Sequence, residues 1–73
     1  MLTKRQKQVL EFIKIFIKRN DYAPSFEEIK KHFHLTSVST VHYHIKILER
    51  LGFLKKEENQ PRSIDVFKKE EMI

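Results

Sequence analysis

The stretch TSVSTVHYHIKILERLG, Thr36 to Gly52, decides the fold, because it reads as one helix, 38–51, with a defined start and a defined stop. Ser37 supplies the start: a short side-chain oxygen just ahead of a helical pattern accepts from backbone N–H groups that the first turn leaves unpaired. Gly52 supplies the stop, since a residue without Cβ adopts the left-handed conformation that helix ends often need, and Phe53-Leu54 after it abandons helical spacing. Between these signals Val38, Val41, Ile45 and Leu48 recur at steps of three and four, so they share one face turned towards a core.

With about 100° of rotation per residue, Ser39, Thr40, Tyr43, Lys46 and Arg50 point away from that stripe, with His42 and Ile47 on its flanks. These are hydroxyls, an aromatic ring and cations, with no carboxylate among them. Short polar side chains near a helix N-terminus suit close approach to base edges, and Lys46 and Arg50 further along reach for phosphates. A plain solvated face has the same polarity, as outer faces of amphipathic helices are polar by rule. The rest of the chain has to decide between the two.

Seventy-three residues make one small domain, near the lower limit at which a single apolar core suffices. With no cysteine, neither a disulfide nor a thiolate zinc site can staple it. Six Phe among many Ile, Leu and Val, against one Gly and two Pro, fit a folded chain rather than a disordered one. No apolar run approaches the roughly 20 residues that span a bilayer, and the N-terminus has no signal-peptide stretch, so no membrane partner and a cytoplasmic location are expected. The net charge is +5, but residues 1–56 hold twelve basic and five acidic groups while 57–73 hold three and five. A cationic body with a mildly acidic end favours a polyanionic partner, although lysine-rich surfaces also serve solubility.

From the N-terminus, Thr3 with Gln6 fits a capping box and opens a first helix whose apolar stripe is Val9, Leu10, Phe12, Ile13, Phe16 and Ile17. This helix reads as scaffold, with Arg5 as the exception, a candidate for a phosphate contact. Asn20 to Pro24 break the pattern with turn formers, and Ser25 with Glu28 completes a second capping box. A short helix follows, with Phe26, Ile29 and Phe33 on its core side and its end near His34; Ser25 at its start is a candidate for holding a phosphate as well as capping. Leu35 and Thr36 then lead into Ser37, and Leu35 is expected to plug the gap between the helices. A short helix, a tight turn and a longer helix with polar outer residues form a helix-turn-helix. The turn lacks the glycine often found there and has His34 in a comparable position, which implies local strain or another turn geometry.

Beyond Gly52 the period changes to two. Residues 53–56 and 64–67 read as strands, the polar connection 57–63 with Pro61 as their tip, and the pair as a wing resting on the helices. The expected architecture is therefore mainly α with a small β-hairpin: a winged helix-turn-helix of three helices and a two-stranded antiparallel wing over 1–68, followed by a charged end at 69–73.

These residues resemble the N-terminal DNA-binding domain of the LexA repressors. The likeness lies in Leu2-Thr3-Lys4-Arg5-Gln6 with Val9 and Ile13, in Pro24-Ser25 with Glu28-Ile29, and in Ser37 through His44-Ile45-Lys46 to Leu48, Arg50 and Gly52. It runs over residues 2 to 66 without an evident gap, far more than one short motif. The resemblance implies double-stranded DNA as partner, a second copy on an adjacent half-site, and DNA-contact roles for Ser37, Arg50 and the wing residue Arg62. The chain also departs from the family: Ser39, His42 and Tyr43 stand where an Asn and two acidic residues are usual, and Asn59-Gln60-Pro61 stands at a wing tip that often holds glycine. The family's operator sequence therefore does not transfer. The self-cleaving domain that the family carries, with its Ala-Gly dipeptide, has no counterpart in these residues.

Other chemistry finds little support. His42 and His44, two apart on a helix, point to nearly opposite sides and cannot share an ion, and no helical His-Glu-x-x-His pattern gathers His32 or His34 into a metal site. His42 is expected to face DNA or solvent and His44 the edge of the core. There is no phosphate-cradling glycine loop and no nucleophile setting, so no enzyme activity, cofactor or small-molecule substrate is expected. Two functions remain. One is a sequence-specific DNA-binding module, a LexA-like repressor, with Ser39, Thr40, Tyr43 and Lys46 in the major groove, Ser25, Ser37, His42 and Arg50 as further DNA-binding candidates, and Asn59, Gln60 and Arg62 on the wing. The other is a winged-helix protein-interaction module using Tyr43, Ile47 and Leu51 on the same helix. The basic surplus and the match along the third helix favour the first.

Overall fold

The computed structural model describes residues 2–56 and 64–66. Within them run three helices and two short strands, α1 (Lys4–Asn20), α2 (Phe26–His32), α3 (Val38–Arg50), β1 (Leu54–Lys55) and β2 (Asp65–Val66). The mainly helical winged helix-turn-helix is the arrangement that the sequence pattern predicts. The tip at 57–63, with Asn59, Gln60 and Arg62, lies outside the described residues, as do the expected domain limit at 68 and the charged end at 69–73.

Each helix begins where a side chain can satisfy the unpaired first turn. Thr3 Oγ1 accepts from Gln6 N at 3.2 Å while Gln6 Oε1 accepts from Thr3 N at 3.0 Å. Ser25 and Glu28 repeat the exchange at 3.2 and 2.8 Å. The helix ends use left-handed residues instead. Asp21, with φ 64°, closes α1 and donates its N–H to Ile17 O.

The turn of the helix-turn-helix is a six-to-one closure: Leu35 N donates to Lys30 O at 3.0 Å and His34 N to Lys31 O at 3.2 Å. That geometry needs a left-handed residue at His34, whose φ is 55°. An imidazole-bearing residue thus stands where glycine is the easy choice. Leu35 is half-buried and packs on the core, as a plug between the helices should.

The same closure ends α3, with Phe53 N bonded to Leu48 O at 2.9 Å, Gly52 N to Glu49 O at 3.0 Å, and Gly52 at φ 87°. This explains why β1, two residues shorter than the four that alternation predicts, does not begin at Phe53. The Phe53 donor is spent on the end of the helix, so pairing starts one residue later, with Leu54 opposite Val66 and Lys55 opposite Asp65 in antiparallel register.

The core joins all the elements. Val9, Leu10 and Ile13 of α1, Ile29 of α2, Val41, Ile45 and Leu48 of α3, with Ala23, Leu54 and Ile64, form one buried cluster. α3 packs against α1, α2 and β1 and so occupies the middle of the molecule. Burial of Leu54 and Ile64 anchors the wing base, because two paired residues per strand could not hold a hairpin unaided.

Candidate nucleic-acid interface

α3 packs against α1, α2 and β1, and its remaining exposed side carries most of the residues singled out from the sequence. Ser39, Tyr43, Lys46 and Arg50 are exposed, Thr40 is half-buried, and Ile47 on the flank is half-buried. Tyr43 is 62% exposed, a large ring left facing water although its neighbours Val41 and Ile45 are at 0% and 1%. Such a ring on a cationic, hydroxyl-bearing face is available for contact with another molecule. Ser37 is exposed, and its hydroxyl accepts from Ser39 N at 3.0 Å, which fixes the start of α3. No acidic residue lies in the first turn of α3 and Arg50 lies in its last. The carboxylate of Glu49 is exposed on this helix too, on the flank of His42 and near the far end.

Ser25 is half-buried, with both its hydroxyl and its N–H used in the capping box of α2. Arg5 lies with its guanidinium 5.2 Å from the centroid of Phe33, which links the start of α1 to the end of α2.

The histidines separate into different environments. His42 is exposed, its ring and that of Phe26 lying nearly perpendicular with 4.4 Å between centroids. His44 is half-buried and its Nδ1 is buried without a hydrogen-bond partner. Burial first, and then the Arg5 guanidinium, hold its pKa below the ordinary 6.5. His32 stacks on Phe12 at 4.1 Å, an apolar use of an imidazole that periodicity does not reveal. Among the described residues no three His, Asp or Glu side chains gather as a metal site would require.

One grouping escapes the sequence altogether. Lys56, just past β1, places Nζ 5.6 Å from the centroid of the same Phe26 ring that meets His42. α2, α3 and the wing base therefore meet on one aromatic side chain. Phe26 was expected on the core side of α2, and its half-buried ring does pack on the core, but its exposed part serves this junction. Thirty positions of chain separate it from Lys56, so no local spacing signals the contact.

An open groove bordered by Arg5, Phe12, Ile15, His32, Phe33 and His34 lies between α1 and α2 and includes no residue of α3. No helix among the described residues is long and apolar enough to cross a membrane.

A helix-turn-helix whose second helix is buried along one face and largely polar and cationic on the other, with a strand pair beside it, defines a winged helix-turn-helix domain. The sequence model of the LexA DNA binding domain matches residues 1–63, and the chain belongs to that family. The LexA repressor of Petrotoga mobilis is 44% identical over 68 residues, which is 93% of this chain and 33% of that protein. That of Thermosipho melanesiensis is 42% identical over 72 residues, 99% of this chain and 36% of the relative. A third, from Koribacter versatilis, is 45% identical over 67 residues, 92% and 32% of the two chains. The chain thus spans about a third of the length of these curated relatives.

Proposed function

We propose that this chain is a sequence-specific double-stranded DNA-binding module of a LexA-like transcriptional repressor, reading the major groove with the outer side of α3. The observation that carries the reading is the exposure of Tyr43, Lys46 and Arg50 together on a side of α3 turned away from α1, α2 and β1. Ser39, Thr40, Tyr43 and Lys46 are the residues offered to base edges, with His42 facing the duplex from the flank. Ser37 and Arg50 at the two ends of the helix, with Ser25, are offered to the backbone. Arg62, Asn59 and Gln60 complete the contact from the wing. The cytoplasm is its place, and the nucleoid when it is bound.

A single domain of this size covers little of a duplex, so specific affinity calls for a second copy on an adjacent half-site. Contact with a duplex through these residues needs no catalytic group. The reading is tested by selection from a pool of randomised duplexes. A recurring motif, with binding reduced by Tyr43→Ala and Lys46→Ala, is the expected result; failure of any motif to emerge contradicts sequence-specific reading.

A further inference from the structure

We propose that Lys56, Phe26 and His42 form a clamp for one DNA backbone phosphate at the junction between α3 and the wing, with the Phe26 ring as the platform that positions both donors. The inference rests on the DNA-binding reading and adds to it a contact that the face of α3 does not contain.

Three facts point this way. An ammonium and an imidazole from distant parts of the chain converge on one ring, Nζ at 5.6 Å and the imidazole at 4.4 Å from its centroid. His42 is exposed on the flank of the outer side of α3, so the cluster borders the surface offered to the duplex. Phe26 is half-buried, in contact with the core, and sits at the start of α2, so it is a fixed support rather than a free side chain.

The chemistry suits an oxyanion. Lysine brings three N–H donors and a full charge, and a neutral imidazole brings one N–H. An aromatic face holds the ammonium by cation–π attraction without neutralising it, whereas a carboxylate would cancel its charge. Lys30 and Glu27 pair at 3.6 Å, whereas the described contact of the Lys56 ammonium is the Phe26 ring. The nearest carboxylate along the flank of His42 is Glu49, about 10 Å further along the helix axis. Glu57 and Glu58 follow Lys56 in sequence and lie outside the described residues, so the competing arrangement is a Lys56 held by one of them.

The salt dependence of binding separates these arrangements. The 73-residue chain is titrated with a mixed-sequence duplex over a series of salt concentrations, together with Lys56→Met, Phe26→Leu and the double variant, each checked for a native circular dichroism spectrum. Lys56→Met keeps an aliphatic stem over the ring and removes the charge. The clamp predicts that the slope of log K against log salt falls by about 0.9, with a loss of up to roughly eightfold at 0.1 M salt. Phe26→Leu should lose a comparable part by freeing the ammonium, and the double variant should lose little beyond Lys56→Met alone. An unchanged slope in Lys56→Met, or losses that multiply in the double variant, overturns the clamp and leaves the DNA-binding reading standing. A wild-type chain that binds no duplex even at low salt overturns both.

Discussion

His34 shows how much one side chain can reveal about a turn. Its left-handed φ of 55° is dictated by the hydrogen bonds that close α2, and a residue with a Cβ pays on the order of 1 kcal/mol to sit there. His34→Gly should therefore raise the urea midpoint, by roughly 0.5 kcal/mol once the extra freedom of the unfolded glycine is counted. A lower midpoint would mean that the imidazole makes a contact worth more than the strain. His44 carries a different consequence. Because its folded pKa lies below 6.5, the unfolded chain takes up the proton at a higher pH than the folded one. Its contribution to stability is complete above about pH 6.5 and is lost as the pH falls through the lower, folded value. Protonation would also place an N–H at the buried Nδ1, where no acceptor waits. Between pH 7.5 and 5 the urea midpoint should fall, and His44→Gln should flatten that fall; an identical decline in the variant would assign it to other groups.

At the scale of the element, α3 was largely legible before any coordinates, because its signals are local. Ser37 caps it, Gly52 ends it, and the three- and four-residue steps of Val41, Ile45 and Leu48 place its buried side. Both capping boxes were readable for the same reason, and Ser25→Ala should cost about 1 kcal/mol at the start of α2, measured as a loss of thermal stability. The limits of the strands were not legible. Whether Phe53 pairs depends on its N–H being claimed by Leu48 O, and a period-two pattern carries no record of that bond. Nor was the meeting of Lys56, Phe26 and His42, which depends on how three elements assemble. Within the candidate interface, exposure of Tyr43, Lys46 and Arg50 followed from helical geometry, whereas partial burial of Thr40 depends on its neighbours. Differences between these residues should appear in binding. Tyr43→Ala and Lys46→Ala should each weaken a selected site by about 1–3 kcal/mol with less effect on mixed duplex, while Arg50→Ala should weaken all sequences alike. Competition titrations with selected and mixed duplexes check the distinction, and uniform losses in all three variants would contradict base reading by Tyr43 and Lys46.

For the whole molecule, the arrangement explains why so small a chain can present a rigid surface. α3 runs through the middle, three of its residues are buried at 1% exposure or less, and α1, α2 and β1 all pack on it. Truncating that support should be severe: Ile45→Ala is expected to cost about 2–5 kcal/mol, enough to unfold much of the population in a thermal melt. The fixed core holds the outer side of α3 as a preformed surface. The central claim is that this outer side is the surface that meets a duplex, and the most direct measurement is amide chemical-shift mapping of the labelled chain during titration with a selected duplex. The account predicts the largest shifts at Ser39, Tyr43, Lys46 and Arg50. Shifts confined to the groove of Phe12, Ile15 and His32, with α3 silent, would contradict it.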